Sequence, residues 1–141
     1  MKIKTGELIE LLALLGAAQM SKLESKEKTA VVKAVVAMRE EGRRWDAFIK
    51  EAQEKCRPED YEELAGKMQT VDSLPEAERG EVKRRWADYE KAVDEVARPE
   101  YGSEREVKAE LTEEIIEKLA DSNPGWSVGA VVALRDAFLG Q

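Results

Sequence analysis

A mainly α-helical fold, with two long antiparallel amphipathic helices and shorter helices packed on them, is what this 141-residue sequence predicts. Three observations predict it. Charged residues make up 38% of the chain and hydrophobic residues 43%, against 6% aromatics and four prolines, which is the composition of long amphipathic helices rather than of a sandwich or barrel. Two segments space their apolar residues alternately four and three apart, the signature of a heptad seam. No low-complexity linker interrupts the chain, so residues 1 to 141 are expected to form a single helical domain.

Residues 2 to 4, KIK, alternate polar and apolar and suit a very short strand. Thr5 is placed to cap a helix with Leu8, Leu11, Leu12 and Leu15 on one face, ending near Met20. Glu7 and Glu10 interrupt what would otherwise resemble a secretory leader, and no apolar run is long enough for a membrane span. Ser21 with Glu24 has capping-box spacing and predicts a long helix to about Cys56. Its seam is Val31, Val35, Met38, Gly42, Trp45, Ile49, Ala52 and Cys56. Such a helix, about 45 Å long, needs a partner along its length.

The RPED stretch at 57 to 60 breaks that helix, and Tyr61, Leu64 and Met68 mark a short one. SLPE at 73 to 76 opens the second long helix, with Pro75 in its first turn and a seam of Val82, Trp86, Tyr89, Val93 and Val96. RPEYGS at 98 to 103 is expected to break it. In the next stretch Val107, Ala109 and Leu111 alternate with Glu106, Lys108 and Glu110. A strand over 106 to 110 is favoured, paired with residues 2 to 4 so that Lys2 and Lys4 face Glu106 and Glu110. Thr112 and Ser127 then cap two short helices, near 112 to 121 and 127 to 139, each with an apolar residue before the cap.

The chain has no histidine, which removes the commonest general base and metal ligand, and with it zinc sites and histidine-based triads. Nine scattered glycines form no phosphate loop. Cys56 has no second cysteine to pair with and reads as a seam residue of a reducing compartment. Adjacent carboxylates at Glu40 and Glu41, Glu62 and Glu63, and Glu113 and Glu114 leave open a metal-dependent enzyme that uses carboxylates alone. A net charge of −7 disfavours nucleic acid and anionic membranes unless a local basic patch exists. The candidates for such a patch are Arg43 and Arg44 before Trp45, and Lys83, Arg84 and Arg85 before Trp86. Set against this, both tryptophans fall on the apolar seams, which turns them inward and leaves the arginines as salt-bridge partners.

A second echo joins AVVAMRE at 34 to 40 with AVVALRD at 130 to 136. The match ends within a few residues on either side, so it predicts two independent helix faces, with Val35 and Val131 buried and Arg39 and Arg135 in solvent.

Taken in order, KIKTGELIELLALL, KLESKEKTAVVKAVVAMREEGRRWDAFIKEAQEKC, RRWADYEKAVDEV, EVKAEL and LTEEIIEKLADSNPGWSVGAVVALRDAFL resemble a family of small, mostly helical proteins encoded by tailed bacteriophages and prophages. The acidic, Gly/Asn-rich insert often seen between that family's long helices is missing here. The resemblance implies virion assembly or a phage accessory role, an extended segment at 106 to 110, and no catalytic residues to carry over. Together these readings lead to the expectation of a non-enzymatic cytoplasmic or virion-associated protein, without cofactor or metal. It would act on a protein partner or on itself, as a homo-oligomer, with Val31, Val35, Met38, Trp45, Ile49, Val82, Trp86, Tyr89 and Val93 as core seam and candidate interface.

Overall fold

The computed structural model describes residues 1 to 140. Its elements are β1 (Lys2–Lys4), α1 (Thr5–Gly16), α2 (Ser25–Cys56), α3 (Tyr61–Gln69), α4 (Glu76–Tyr101), β2 (Glu104–Glu106), α5 (Glu113–Ser122) and α6 (Val128–Leu139), with a 3₁₀ turn at Val71–Ser73 before α4. The fold is mainly helical with a minimal two-stranded antiparallel sheet, as composition and spacing predict. The contacts gather into two compact units, Met1–Trp45 with the chain from Tyr101 onward, and Asp46–Glu100.

In the first unit β1 and β2 pair antiparallel, with Lys2 opposite Glu106, Ile3 opposite Arg105 and Lys4 opposite Glu104. The strand therefore lies at 104 to 106 rather than 106 to 110, and Lys4 faces Glu104, not Glu110. The register places Met1 opposite Val107. The Val107 N–H donates to the Met1 carbonyl (2.8 Å) and the Met1 ammonium donates to the Val107 carbonyl (2.6 Å), which brings the ladder to the first residue of β1's side. Lys108 to Glu110 lie beyond it. The predicted alternation nevertheless holds, since Val107, Ala109 and Leu111 are buried while Lys108 and Glu110 are exposed.

These residues share one aliphatic core with Leu8, Leu11 and Leu15 of α1, Val31, Ala34 and Met38 of α2, Ile115, Ile116 and Leu119 of α5, and Leu134 of α6. Each fully buried Leu, Ile or Met there contributes roughly 1.5–3 kcal/mol. Thr112 and Ser127 cap α5 and α6 as expected, their hydroxyls accepting from the Ile115 and Ala130 N–H groups. Thr5 does not cap α1. Its hydroxyl is fully buried and is spent on the Ser103 carbonyl and on Arg105.

The helix ends at Gly16 and Ser25 also depart from the expected Met20 and Ser21, because the connection between them is claimed by α5. Asn123 Oδ1 accepts the Gln19 N–H (2.8 Å), and Asn123 Nδ2 donates to the Gln19 and Leu119 carbonyls (2.9 and 2.7 Å). Ser122 Oγ accepts the Lys22 N–H at 2.9 Å. Backbone groups held this way are unavailable to a helix. The reciprocal bond at the start of α2 comes instead from Glu27, whose carboxylate accepts the Glu24 N–H (2.8 Å) and also receives Lys118 Nζ (2.9 and 3.0 Å). Lys118 holds the Glu27 carboxyl below its ordinary range, and the same pairing raises Lys118.

The second unit contains the last turns of α2, α3 and nearly all of α4. Cys56 shares a hollow with Arg85 and Ala92, while Gln53 shares another with Trp86, Glu90 and Val93, so within this unit α2 and α4 run antiparallel. The buried apolar residues here are Ala52, Leu64, Val82, Tyr89 and Ala97. Val96, expected on the seam, is 46% exposed, and Ala97 takes its place. The expected break at Arg98 and Pro99 also moves, since α4 continues through Pro99 to Tyr101. Proline forfeits one backbone bond near a helix end, where few remain to be lost.

Candidate functional site

The predicted seam residues divide between the units. Val31, Val35, Met38 and Trp45 belong to the first, Ile49, Val82, Trp86, Tyr89 and Val93 to the second. Val31, Met38, Val82 and Tyr89 are buried and the others half-buried.

The tryptophan motifs resolve the same way. Trp45 lies 5.5 Å from the Tyr101 ring. Trp86 stacks on Tyr61 at 6.0 Å and 25° and tilts against Tyr89 at 5.3 Å. Of the arginines before them, Arg44 pairs with Glu41 (2.8 Å), Arg84 with Glu81 and Asp88 (2.8 and 3.5 Å), and Arg85 bidentately with Asp60 (2.7 and 2.6 Å). Arg85 thereby lowers the Asp60 carboxyl below its usual value. Arg43 and Lys83 are exposed. A guanidinium already forked onto a carboxylate must give up that pairing to take a phosphate.

Of the adjacent carboxylates, Glu41 pairs with Arg44 and Arg105, Glu63 with Lys67, Glu113 with Arg135 and Glu114 with Lys118, while Glu40 and Glu62 are exposed. Among the described residues no three Cys, Asp or Glu side chains form a group that would hold a metal ion. Cys56 is a half-buried free thiol.

Arg105 is a residue whose role the sequence pattern did not expose. It stands opposite Ile3 in the sheet, donating from Nε to Thr5 Oγ1 (2.6 Å) and from a terminal nitrogen to Glu41 Oε2 (3.0 Å), with both ionic side chains 14% exposed. The network ties β2 to α1 and α2. Its acceptors are filled by its own donors, which suits cohesion rather than chemistry.

Each unit has an open surface with aromatic or apolar side chains. In the second unit Tyr61, Trp86 and Tyr89 border a hollow of about 250 Å³ with Gln53, Glu90 and Val93, and the Arg57 guanidinium sits 4.4 Å above the Tyr61 ring. Burial raises the Tyr89 hydroxyl's pKa, and that hydroxyl donates to the Gln53 carbonyl (3.3 Å).

In the first unit the open surface is one side of α6. Residues 122 to 134, SNPGWSVGAVVAL, carry no charge in a chain that is 38% charged. Leu134 turns fully inward, while Val128 is 81% and Val132 48% exposed, with Gly129 and Ala133 exposed beside them. The echo between α2 and α6 acquires its meaning here. The positions fully buried in both copies are Met38 and Leu134, whereas Val35 and Val131, expected inside, are only half-buried. Arg39 is exposed as expected, but Arg135 is half-buried on Glu113 at 2.7 Å. The matched outward positions are valines in both helices, since Val32 and Val36 of α2 are 52% and 49% exposed. The uncharged run, longer than any other in the chain, is the sequence signal that marks this surface.

No protein-family model, no curated protein and no solved structure matches this chain.

Proposed function

We propose that this is a non-enzymatic protein that works by protein–protein contact, through the outward face of α6. The observation that carries the proposal is the exposure of Val128 and Val132 on the first turns of α6, which carry no charge before Arg135, in a chain otherwise crowded with it. Contiguous apolar surface of this kind marks interaction sites, because leaving it in water forfeits burial energy that a partner would recover. Gly129 and Ala133 lie on the same side and let a partner's backbone approach closely. The setting proposed is the one the sequence resemblance implies, assembly of a tailed-phage virion or an accessory step in the phage cycle.

The test is site-specific photocrosslinking in induced lysogenic or infected cells. Benzoylphenylalanine at position 128 is expected to give a discrete adduct that Val132→Lys abolishes, while the same probe at exposed Lys28 gives none. An adduct of twice the chain's mass would make the contact a self-contact. Absence of any adduct at 128, or an equal pattern at 28, would contradict the proposal.

A further inference from the structure

Several acidic residues of the second unit are held by a base one helix turn away, as Glu51 is by Lys55, Glu63 by Lys67 and Asp94 by Arg98. Glu90 is not. Its neighbours three and four positions away on α4 are Trp86, Ala87, Val93 and Asp94, none of them basic. Among the described residues no ion pair or side-chain hydrogen bond engages its exposed carboxylate. Glu90 borders the hollow of about 250 Å³ that it shares with Gln53, Tyr61, Trp86, Tyr89 and Val93, and none of the described residues lining that hollow is cationic. Two other hollows of this unit differ, since the one beside Cys56 holds Arg84 and Arg85, and the one at the start of α3 holds Arg57.

We propose that the hollow beside Glu90 takes the guanidinium of an arginine side chain presented by a protein partner, stacked on Trp86 and paired with Glu90. Trp86 and Glu90 stand one turn apart on α4, so a planar cation lying on the indole can reach the carboxylate with its N–H edge. Ring faces attract cations through their quadrupole, tryptophan most strongly. The unit already shows this chemistry once, where the Arg57 guanidinium lies 4.4 Å from the Tyr61 ring centroid. The hollow is smaller than the roughly 300–1,000 Å³ of sites for drug-sized ligands, which leaves room for a single side chain. The surrounding field has the right sign, because Asp46–Glu100 carries sixteen Asp and Glu against ten Lys and Arg. Arginine is favoured over lysine, since its flat, weakly hydrated head both stacks on a ring and forks onto a carboxylate. This site belongs to the second unit, and its outcome does not depend on the α6 face binding anything.

The experiment is a ¹H–¹⁵N titration of the full chain with capped Gly-Arg-Gly, and with the same peptide carrying lysine or the neutral isostere citrulline at its centre. The arginine peptide is expected to shift the Trp86 indole resonance and the Glu90 amide saturably, and to bind about three- to tenfold tighter than the lysine peptide. Citrulline should give no saturable shift. Glu90→Gln is expected to weaken the arginine peptide about three- to tenfold, while Glu95→Gln, which removes the same charge from an exposed position of α4 outside the hollow, leaves the affinity within about twofold. The absence of a saturable shift with the arginine peptide, or equal binding of the lysine or citrulline peptide, would overturn the proposal. So would shifts centred on Trp45 or Trp126, or an equal loss in the two glutamine variants, which would assign the attraction to net charge alone.

Discussion

The two units are held by different means. The first has an aliphatic core of fifteen buried residues, and its polar ties join positions about a hundred apart, such as Thr5 with Ser103 and Gln19 with Asn123. The second buries Ala52, Leu64, Val82, Tyr89 and Ala97, and relies on the Tyr61, Trp86 and Tyr89 rings and on ties over shorter spans, Asp60 to Arg85 and Gln53 to Tyr89. Distant ties are costly in loop-closure entropy and form only where enough apolar surface is buried to offset it. Near ties close cheaply and persist with a thin core. The second unit is accordingly the weaker one, although two of its helical segments belong to the longest helices of the chain.

The largest test of that difference is truncation in each core. Leu119→Ala, at a fully buried position of the aliphatic core, is expected to cost about 3–5 kcal/mol, and Leu64→Ala about 2–3 kcal/mol, read from urea unfolding. Equal costs would weaken the comparison. Next, Asn123→Ala removes a donor and acceptor set from the Gln19 backbone and should cost about 1–3 kcal/mol, with the loss confined to resonances of the first unit.

Acid should separate the units more gently. Asp60 titrates below its ordinary value in the folded chain, so its pairing with Arg85 contributes fully above about pH 4 and is lost as pH falls through the lower folded value. The Trp86 indole resonance is expected to report loosening there, and Asp60→Asn should flatten that dependence. A Trp86 signal with the same acid dependence in both proteins would remove this role for the pair. The smallest effect is expected at Val128→Glu, within about 0.5 kcal/mol of wild type by thermal melting, because the side chain is already in water.

Much of the fold was legible because local chemistry decided it. Thr112 and Ser127 cap where a hydroxyl precedes an apolar run, α2 ends before Arg57 and Pro58, and Val31, Met38, Val82 and Tyr89 of the two seams are buried. What was not legible depended on partners far along the chain. Nothing near Ser21 says that Asn123 and Ser122 will take the backbone at Gln19 and Lys22 and delay α2 to Ser25. Period-two alternation located the buried residues of 107 to 111 but not the register of the ladder, which pairs 104 to 106 with Lys4 to Lys2. Arg105 looked like one charge among many until the sheet register brought it to Thr5 and Glu41. Of the candidate surface, the uncharged stretch 122 to 134 was visible in the sequence, but its outward residues emerge only once Leu134 is known to point in.

Helix α2 provides the most direct test, because the unit boundary falls within it, at Trp45 and Asp46. Native-state hydrogen exchange resolves its amides individually. The expected result is that the amides from Val35 to Gly42 open with the same high free energy as Leu119 in α5, while those from Ile49 to Cys56 open at a lower one shared with Leu64 and Val82. A single opening free energy along the whole of α2 would contradict the division on which this account rests.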